Sequence, residues 1–371
     1  MSDVRVDALS GERDLRGFLR LPRRVYGRDR FYSLTGEKAL ISQLHREAFI
    51  GNQQILVARK GDAVCARCVA RVSSTLSDDA GRPYGMLGFF EALNDADAVR
   101  ALFDAATEWL RGRGVGIVIG PMDGDTWHKY RLNIGPFVER PFLMEPYNRE
   151  YYPALWEAYG FSSLESYYSL KVDDLRAAAG GTERIAARTG ARGYRIRRLD
   201  MQRFHDELDL IYDLTCRIFS ENFLYTAISR EAFLSLYDGV NALLDPELVT
   251  FAQSPEGADI GFLFAVPDNW RAVAAMRGRK TPVALLKFLC LRGRTRTVNI
   301  KTLGVLPEYQ RTGVALQLMH DAYRTALGKG FESANLCLIR EGNPSGRMDG
   351  GQGRVLRRYR LFQLPLQQGL S

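Results

Sequence analysis

The sequence predicts an α/β protein, a mixed α+β sheet with helices, built as two copies of one unit in tandem. Three observations carry that reading. The 371 residues are too many for one ordinary compact domain and suit two. Apolar residues make up 46% and charged residues 25%, the balance of a globular chain. Third, "LGFFEALNDADAVRALFDAATEWLRGRGVGIVIG" (87–120) aligns without a gap on "LGVLPEYQRTGVALQLMHDAYRTALGKGFESANL" (303–336). In both, Leu-Gly follows an apolar run, a helix ends in Gly-basic-Gly, and a short strand begins. Gly88 and Gly114 recur as Gly304 and Gly330, a constant offset of 216 residues.

In the first half, residue alternation predicts a strand from Val4 to Leu9. Helical stretches follow to about Gln53, then a hairpin over "QILVARKGDAVCARCVARVSS" and a strand from Gly85 to Leu93. Val99, Leu102, Phe103, Ala106 and Leu110 then recur at helical spacing. The second half repeats this order. It has a strand at "YRIRRL", helices from about Phe204 to Ile218 and from Arg230 to Leu244, and strands at "LVTFAQ", "DIGFLFAV" and "TVNIKTLGV". Leu316, Met319, Tyr323, Ala326 and Leu327 form the matching amphipathic helix. The glycine after each helix suits a left-handed cap. Between the halves, "RAAAGGTERIAARTGARG" (176–193) has no strong apolar periodicity and predicts a linker.

The net charge of +8 has a local origin. Nine Lys/Arg and no Asp or Glu lie between Arg271 and Lys301. Such a block suits an acidic partner or a membrane surface better than general nucleic-acid binding, so no DNA partner is expected. It can be a docking patch for an acidic carrier protein that delivers an acyl group. It can touch lipid, because "PVALLKFLCL" is apolar between arginines. Or it can be a solvated strand pair with a helix between. Five cysteines, an odd and sparse count, point to a reducing cytoplasm. Cys65 and Cys68 face opposite ways on a strand-like run, so no metal site is expected. The charged start is not a signal peptide, and no run approaches the roughly 18 apolar residues of a membrane span.

The stretch "GVLPEYQRTGVALQLM" (304–319) passes from strand to helix through Gln310, Arg311, Thr312, Gly313, Val314 and Ala315. A helix start offers free amides and partial positive charge, which attract phosphate where small residues let the ligand approach. A turn that merely contains a glycine would read the same. The first half is an internal control: the same offset puts Asp97 at the position of Gly313. Asp95 and Asp97 suit capping and would repel a phosphate, so a phosphate-bearing cofactor is expected in the second half only.

This loop resembles the signature of the GCN5-related N-acetyltransferases, a Gln/Arg-x-x-Gly-x-Gly/Ala motif matched by Gln310, Gly313 and Ala315, with Val305 and Pro307 leading in. Downstream, "ANLCLIREGNPS" and "RRYRLFQ" resemble that fold's later strand, asparagine-containing helix start and closing strand. The first half, through "GFFEAL", "GPMDGDTWHKYRL" and "EPYNREYYPALWEAYGF", looks like a degenerate copy. The resemblance implies two tandem GNAT-like domains, 1–175 and 194–371, with a basic insert at 269–297. It implies acetyl-CoA or another acyl-CoA as donor, held by the 310–315 loop, by Asn343, and by backbone groups near Leu303 and Val305. An amine of a small molecule would attack the thioester. Alternatives are a carrier-protein or aminoacyl-tRNA donor on the basic segment, or an inert acyl-CoA-binding protein.

The chemistry is thinner than the fold. The strand 297–305 has no carboxylate and "REGNPSGRMDGGQGR" has no tyrosine, where the family commonly keeps its base and acid. Glu341, Ser345 and His128 are the remaining catalytic candidates, each with a surface or capping role as the alternative. Tyr359 and His320 suit packing. The densest loop, "DGDTWHKYR" (123–131), follows a strand end, where α/β folds build sites. Asp123 or Asp125 could face an ammonium between Trp127 and Tyr130, with His128 beside them. Equally, its aromatics could staple the halves together, and "PYNREYY" could line the same pocket or pack.

Overall fold

The computed structural model describes residues 4–10, 15–27, 29–32, 37–44, 51–237, 244–279 and 281–366. The first half comprises β1 (Val4–Leu9), α1 (Leu15–Tyr26), α2 (Glu37–Leu44), β2 (Gln53–Lys60), β3 (Ala63–Ser77), β4 (Pro83–Ala92), α3 (Ala96–Arg111), β5 (Ile117–Gly120), β6 (Leu132–Gly135), α4 (Tyr152–Tyr159) and β7 (Ser162–Val172). Then come α5 (Leu175–Ala191), β8 (Arg195–Arg198), α6 (Phe204–Phe219), α7 (Arg230–Leu236), β9 (Val249–Gln253) and β10 (Asp259–Pro267). The chain closes with α8 (Trp270–Met276), α9 (Pro282–Leu291), β11 (Thr297–Val305), α10 (Val314–Gly328), β12 (Ser333–Arg340) and β13 (Gly353–Pro365).

Both copies join one 13-stranded sheet, ordered β1-β2-β3-β4-β5-β13-β7-β12-β11-β10-β9-β8, with β6 paired to β13. Most pairs are antiparallel; β4 with β5 and β11 with β12 are parallel. Antiparallel neighbours follow from short hairpins. Parallel neighbours need a crossover, which α3 and α10 supply. The two copies exchange their last strands. The first half's β7 pairs with β12, and the second half's β13 pairs with β5. One core packs α1, α3 and α4 on the first half, and another packs α5, α6 and α10 on the second.

Several expectations meet corrections here. The 176–193 segment is helical: Asp174 caps α5, and Leu175, Ala178, Ala179, Thr182 and Ala186 are buried. The buried face is made of small residues, which lets α5 lie close against α10 and hides the usual apolar signature. Among the described residues, the basic insert is two helices, α8 and α9, with no strand pair. The helix expected from Arg230 to Leu244 ends at Leu236, and its expected continuation at 238–243 lies outside the described residues. The 146–152 tyrosines pack into the first half: Tyr147 donates to Asp29, Tyr151 to the Ala92 carbonyl and Tyr152 to Glu91. His320 sits on α10 with its Nδ1 beside Thr182 Oγ1 and the Ala179 carbonyl. Among the described residues, no helix is long and apolar enough to cross a membrane.

Candidate active site

The site begins where two parallel strands part. β11 and β12 pair from Thr297–Ser333 to Ile300–Leu336 and no further. β12, paired with β7 on its other edge from Ala334 onward, stays with β7 beyond that point: the Leu338 amide donates to Ser169 Oγ at 2.9 Å, and Ile339 registers with Tyr168. The Leu306 amide reaches Ile260 on the β10 side at 2.8 Å. Backbone groups alternate along a strand, so those of Leu303 and Val305 point away from β10, into the gap.

The first half shows what happens when that gap is filled. Leu87 and Phe89 stand at the positions of Leu303 and Val305 under the 216-residue offset. The Met122 amide donates to the Leu87 carbonyl at 2.8 Å, and the Phe89 amide donates to Asp123 Oδ1 at 2.5 Å. A side chain on Gly88 would collide with the Met122 carbonyl oxygen, so the loop is seated against β4. Asp123 thus closes the first half's cleft and is not among the residues that line the shared cavity. Burial pushes its carboxyl above the usual carboxylate range, against the pull of Lys129.

The two helix starts differ in the same sense. In the first half Asp95 caps α3, its carboxylate accepting the Ala98 amide and pairing with Lys60 at 2.6 Å. That start is already satisfied. In the second half Gly313 takes φ +95°, a left-handed value suited to glycine, and no side chain caps α10. Among the described residues, the amides of Ala315 and Leu316 find no acceptor in the chain, as expected of an uncapped first turn. Thr312 Oγ1 holds the Tyr309 carbonyl at 2.6 Å and Arg192 holds the Thr312 carbonyl at 3.1 Å, which fixes the turn. Gln310 and Arg311 are exposed, Val314 is buried and Ala315 is half-buried.

The gap opens into a cavity of about 780 Å³ that draws on both halves. β11 contributes Lys301 and Leu303, and the turn after β12 contributes Glu341, Asn343 and Ser345. The first half sends in Trp127, His128, Tyr130 and Arg131. Trp127 also staples the halves: its Nε1 donates to the Thr226 carbonyl at 2.8 Å, and its ring meets Tyr225 and Phe233 edge-on. Tyr130 lies edge-on to Tyr167, and the Arg131 guanidinium stacks on both rings at 3.7 and 3.8 Å. Trp127 thus lines the cavity and joins the two halves at once.

His128 is the group best placed for proton transfer. Its Nδ1 is bonded to Asp125, which also accepts the Trp127 amide at 2.9 Å, while its Nε2 is buried without a partner. A carboxylate on one ring nitrogen fixes the tautomer and leaves the other nitrogen as acceptor. Asp125 therefore orients the imidazole and does not itself line the cavity. The spacing Asp-x-x-His was present in the sequence as a signal for this pair. Glu341 is exposed on the rim, and its amide is bonded to Ser166. Asn343 caps the turn after β12 by accepting the Ser345 amide at 2.9 Å. Tyr359 is fully buried on β13, donating to Glu145, which also accepts the Phe142 amide at 2.9 Å and lies 3.2 Å from Arg357. Arg131, only 4% exposed, also lines the cavity, a place that a single arginine in a charged loop does not signal in the sequence.

Residues 224–346 match the Acetyltransferase (GNAT) family. The bacterial ceramide synthase of Caulobacter vibrioides is 22% identical over 354 residues, covering 92% of each chain. Protein YghO of Escherichia coli is 23% identical over 273 residues, covering 72% of this chain and 69% of its own. Among solved structures, a tandem GNAT protein from the clavulanic acid biosynthesis pathway superposes with a TM-score of 0.51 at 12% identity, covering 99% of both chains. The family match thus falls on the half with the open strand gap and the uncapped glycine turn, and the chain as a whole shares the fold of a tandem GNAT protein.

Proposed function

We propose that this protein transfers an acyl group from coenzyme A to a primary amine held in the cavity shared by its two halves. One observation carries the reading: the backbone groups at Leu303 and Val305 are left open, while their counterparts at Leu87 and Phe89 are closed by the chain itself. An acyl-CoA fits what is left open. The amides of the first turn of α10 suit its pyrophosphate, and the edge of β11 suits its pantetheine arm. When bound, it supplies an activated carbonyl and a thiolate leaving group.

The residues of the chain then have defined tasks. His128 Nε2 takes the proton from the acceptor ammonium, so that the free amine can attack. Asp125 holds the ring and stabilises the imidazolium that forms. After attack the nitrogen sheds its second proton to water, and as the C–S bond breaks the proton on His128 passes to the departing sulfur, with the half-buried Ser345 as the second donor. Trp127, Tyr130 and Leu303 keep bulk water from the reacting groups.

An amphiphilic amine is the acceptor reading we favour over a small polar one. The name of the Caulobacter relative refers to ceramide, an N-acylated long-chain amino alcohol, and the cavity wall combines Leu303, Met319, Leu336 and Leu338 with its polar groups. The free, exposed Cys290 suits a reducing cytoplasm. The test is calorimetry of acetyl-CoA and longer acyl-CoAs, followed by thiol release with a panel of amines. Binding and amine-dependent thiol release support the proposal. No binding to any acyl-CoA would overturn it in favour of a carrier-borne donor or an inert role.

A further inference from the structure

The connection between β10 and β11 differs from its counterpart in the first half. There, β3 and β4 are joined by residues 78–82; here the join runs from 268 to 296 and forms the α8–α9 hairpin. Its base is tied down. The Asp268 amide donates to the Thr297 carbonyl at 2.9 Å, and the Gly293 amide to Asn269 Oδ1 at 3.2 Å. Only the copy with the open cleft carries this insertion.

α9 buries only Ala284 and Phe288. Val283, Leu285, Leu286 and Leu289 are 64, 51, 60 and 46% exposed. At about 100° per residue, Leu285, Leu289, Leu286, Cys290 and Val283 form one continuous arc of about 160° on the side away from the packed face. A soluble helix normally turns its polar side outward. This one turns its leucines outward, with Lys287 beside the arc. Arg277 and Arg279 lie before it, and Arg292 and Arg294 after it. All five are exposed, and none has a carboxylate partner among the described residues.

We propose that the α8–α9 hairpin docks on an anionic lipid surface, with the α9 leucines entering the headgroup–acyl boundary and the flanking arginines meeting the lipid phosphates. Charge complementarity chooses this occupant over a second copy of the chain: two such faces would bring ten unpaired cations together, whereas an anionic bilayer neutralises them. An apolar arc rimmed by Lys and Arg is also the pattern of helices that lie in a membrane interface. The orientation is workable. The hairpin leaves the start of β11 and the phosphate-binding turn follows its end, about 26 Å away along an extended strand. Coenzyme A phosphates would thus face water while the hairpin faces lipid. The docking goes beyond the acyl-transfer reading and does not depend on it.

The test is co-sedimentation of the full chain with phosphatidylglycerol-rich and with pure phosphatidylcholine vesicles. Wild type should bind the anionic vesicles, with binding weakened by salt. Leu285→Gln/Leu286→Gln/Leu289→Gln should reduce that binding by about tenfold or more, since each loses apolar insertion. Arg292→Gln/Arg294→Gln leaves the leucines in place and should remove the preference for anionic vesicles. Unchanged circular dichroism and acetyl-CoA affinity in both variants would show that fold and cleft are intact. Three outcomes would overturn the proposal: no vesicle binding by wild type, equal binding to both vesicle types, or leucine-dependent self-association or retention of an acidic carrier protein without vesicle binding. A protein that fails to bind acyl-CoA but still sediments with vesicles would refute the proposed function alone.

Discussion

Replacing Gly313 probes the phosphate turn directly, and its cost can be worked from geometry. The residue sits at φ +95°, where a non-glycine residue costs about 1–2 kcal/mol. A Cβ there would also lie 2.5 Å from Thr189 Oγ1. That hydroxyl is bonded to the Ile185 carbonyl at 2.8 Å and Thr189 is 2% exposed on α5, so the neighbour has little room to yield. Gly313→Ala should therefore displace the turn and weaken acetyl-CoA binding. Adding Thr189→Ala should recover the part due to the clash and leave the backbone part.

Gly313→Asp adds a charge where phosphate would lie. Two like charges about 4 Å apart repel by about 1 kcal/mol in water and about 4 kcal/mol at a protein surface. With the backbone cost, the total is about 2–6 kcal/mol, or roughly 30- to 25,000-fold in affinity. Calorimetry of acetyl-CoA with wild type, Gly313→Ala and Gly313→Asp reads this out. The gap between the two variants should narrow in high salt, because only the charge component is screened. If Gly313→Asp binds within twofold of wild type, the turn is not where the phosphates sit.

Two further substitutions separate the roles within the 123–131 loop. His128→Gln and Asp125→Asn should each lower kcat by about 10²- to 10⁴-fold with acyl-CoA affinity intact. Equal turnover to wild type in single-turnover thiol release would move the base elsewhere, with Glu341 the next to test. Asp123→Asn should act on stability instead, since an amide oxygen can still accept the Phe89 amide. The Asp123 carboxyl is raised by burial, so its contribution to stability is fully present below the ordinary aspartate range and is lost as pH rises through the raised value. The Asn variant should then unfold at higher urea than wild type at neutral pH, with the advantage disappearing in acid. Loss of turnover without that stability gain would return Asp123 to the acceptor site.

What the sequence revealed depended on how local the cause was. The repeat, the amphipathic helices and the Gly313 turn are each set within a few dozen residues, and all are recognisable in the chain. The capping role of Asp95 was also legible, because an N-cap acts on the amides just after it. Asp123 misled because its partner, the Phe89 amide, is 34 residues away, and a carboxylate in an aromatic loop has the look of a ligand. Helix α5 escaped because it packs through Ala178, Ala179 and Thr182, small residues that leave no apolar stripe. The strand exchange was out of reach altogether. β7 and β13 pair Tyr167 with Tyr359, and alternation marks each as a strand without naming its neighbour.

That exchange also decides how far the two halves are separate things. A fragment of residues 194–371 would lose β7, leaving β12 and β13 without the strand between them. It would lose α5, whose Ala178 and Ala179 cover the side of α10. It would also lose the loop carrying His128. Unpaired strand edges and a bared apolar helix face invite aggregation rather than a folded transferase. The fragment should therefore be insoluble or lack a cooperative urea transition, whereas co-expression of 1–193 with 194–371 should restore both folding and acyl-CoA binding, because every missing pair is then available. A fragment 194–371 that unfolds cooperatively and binds acetyl-CoA as the whole chain does would show that the second copy stands alone and that the first is an accessory. If it does not, the degenerate copy was kept because it supplies the strand, the helix and the base that the working cleft needs.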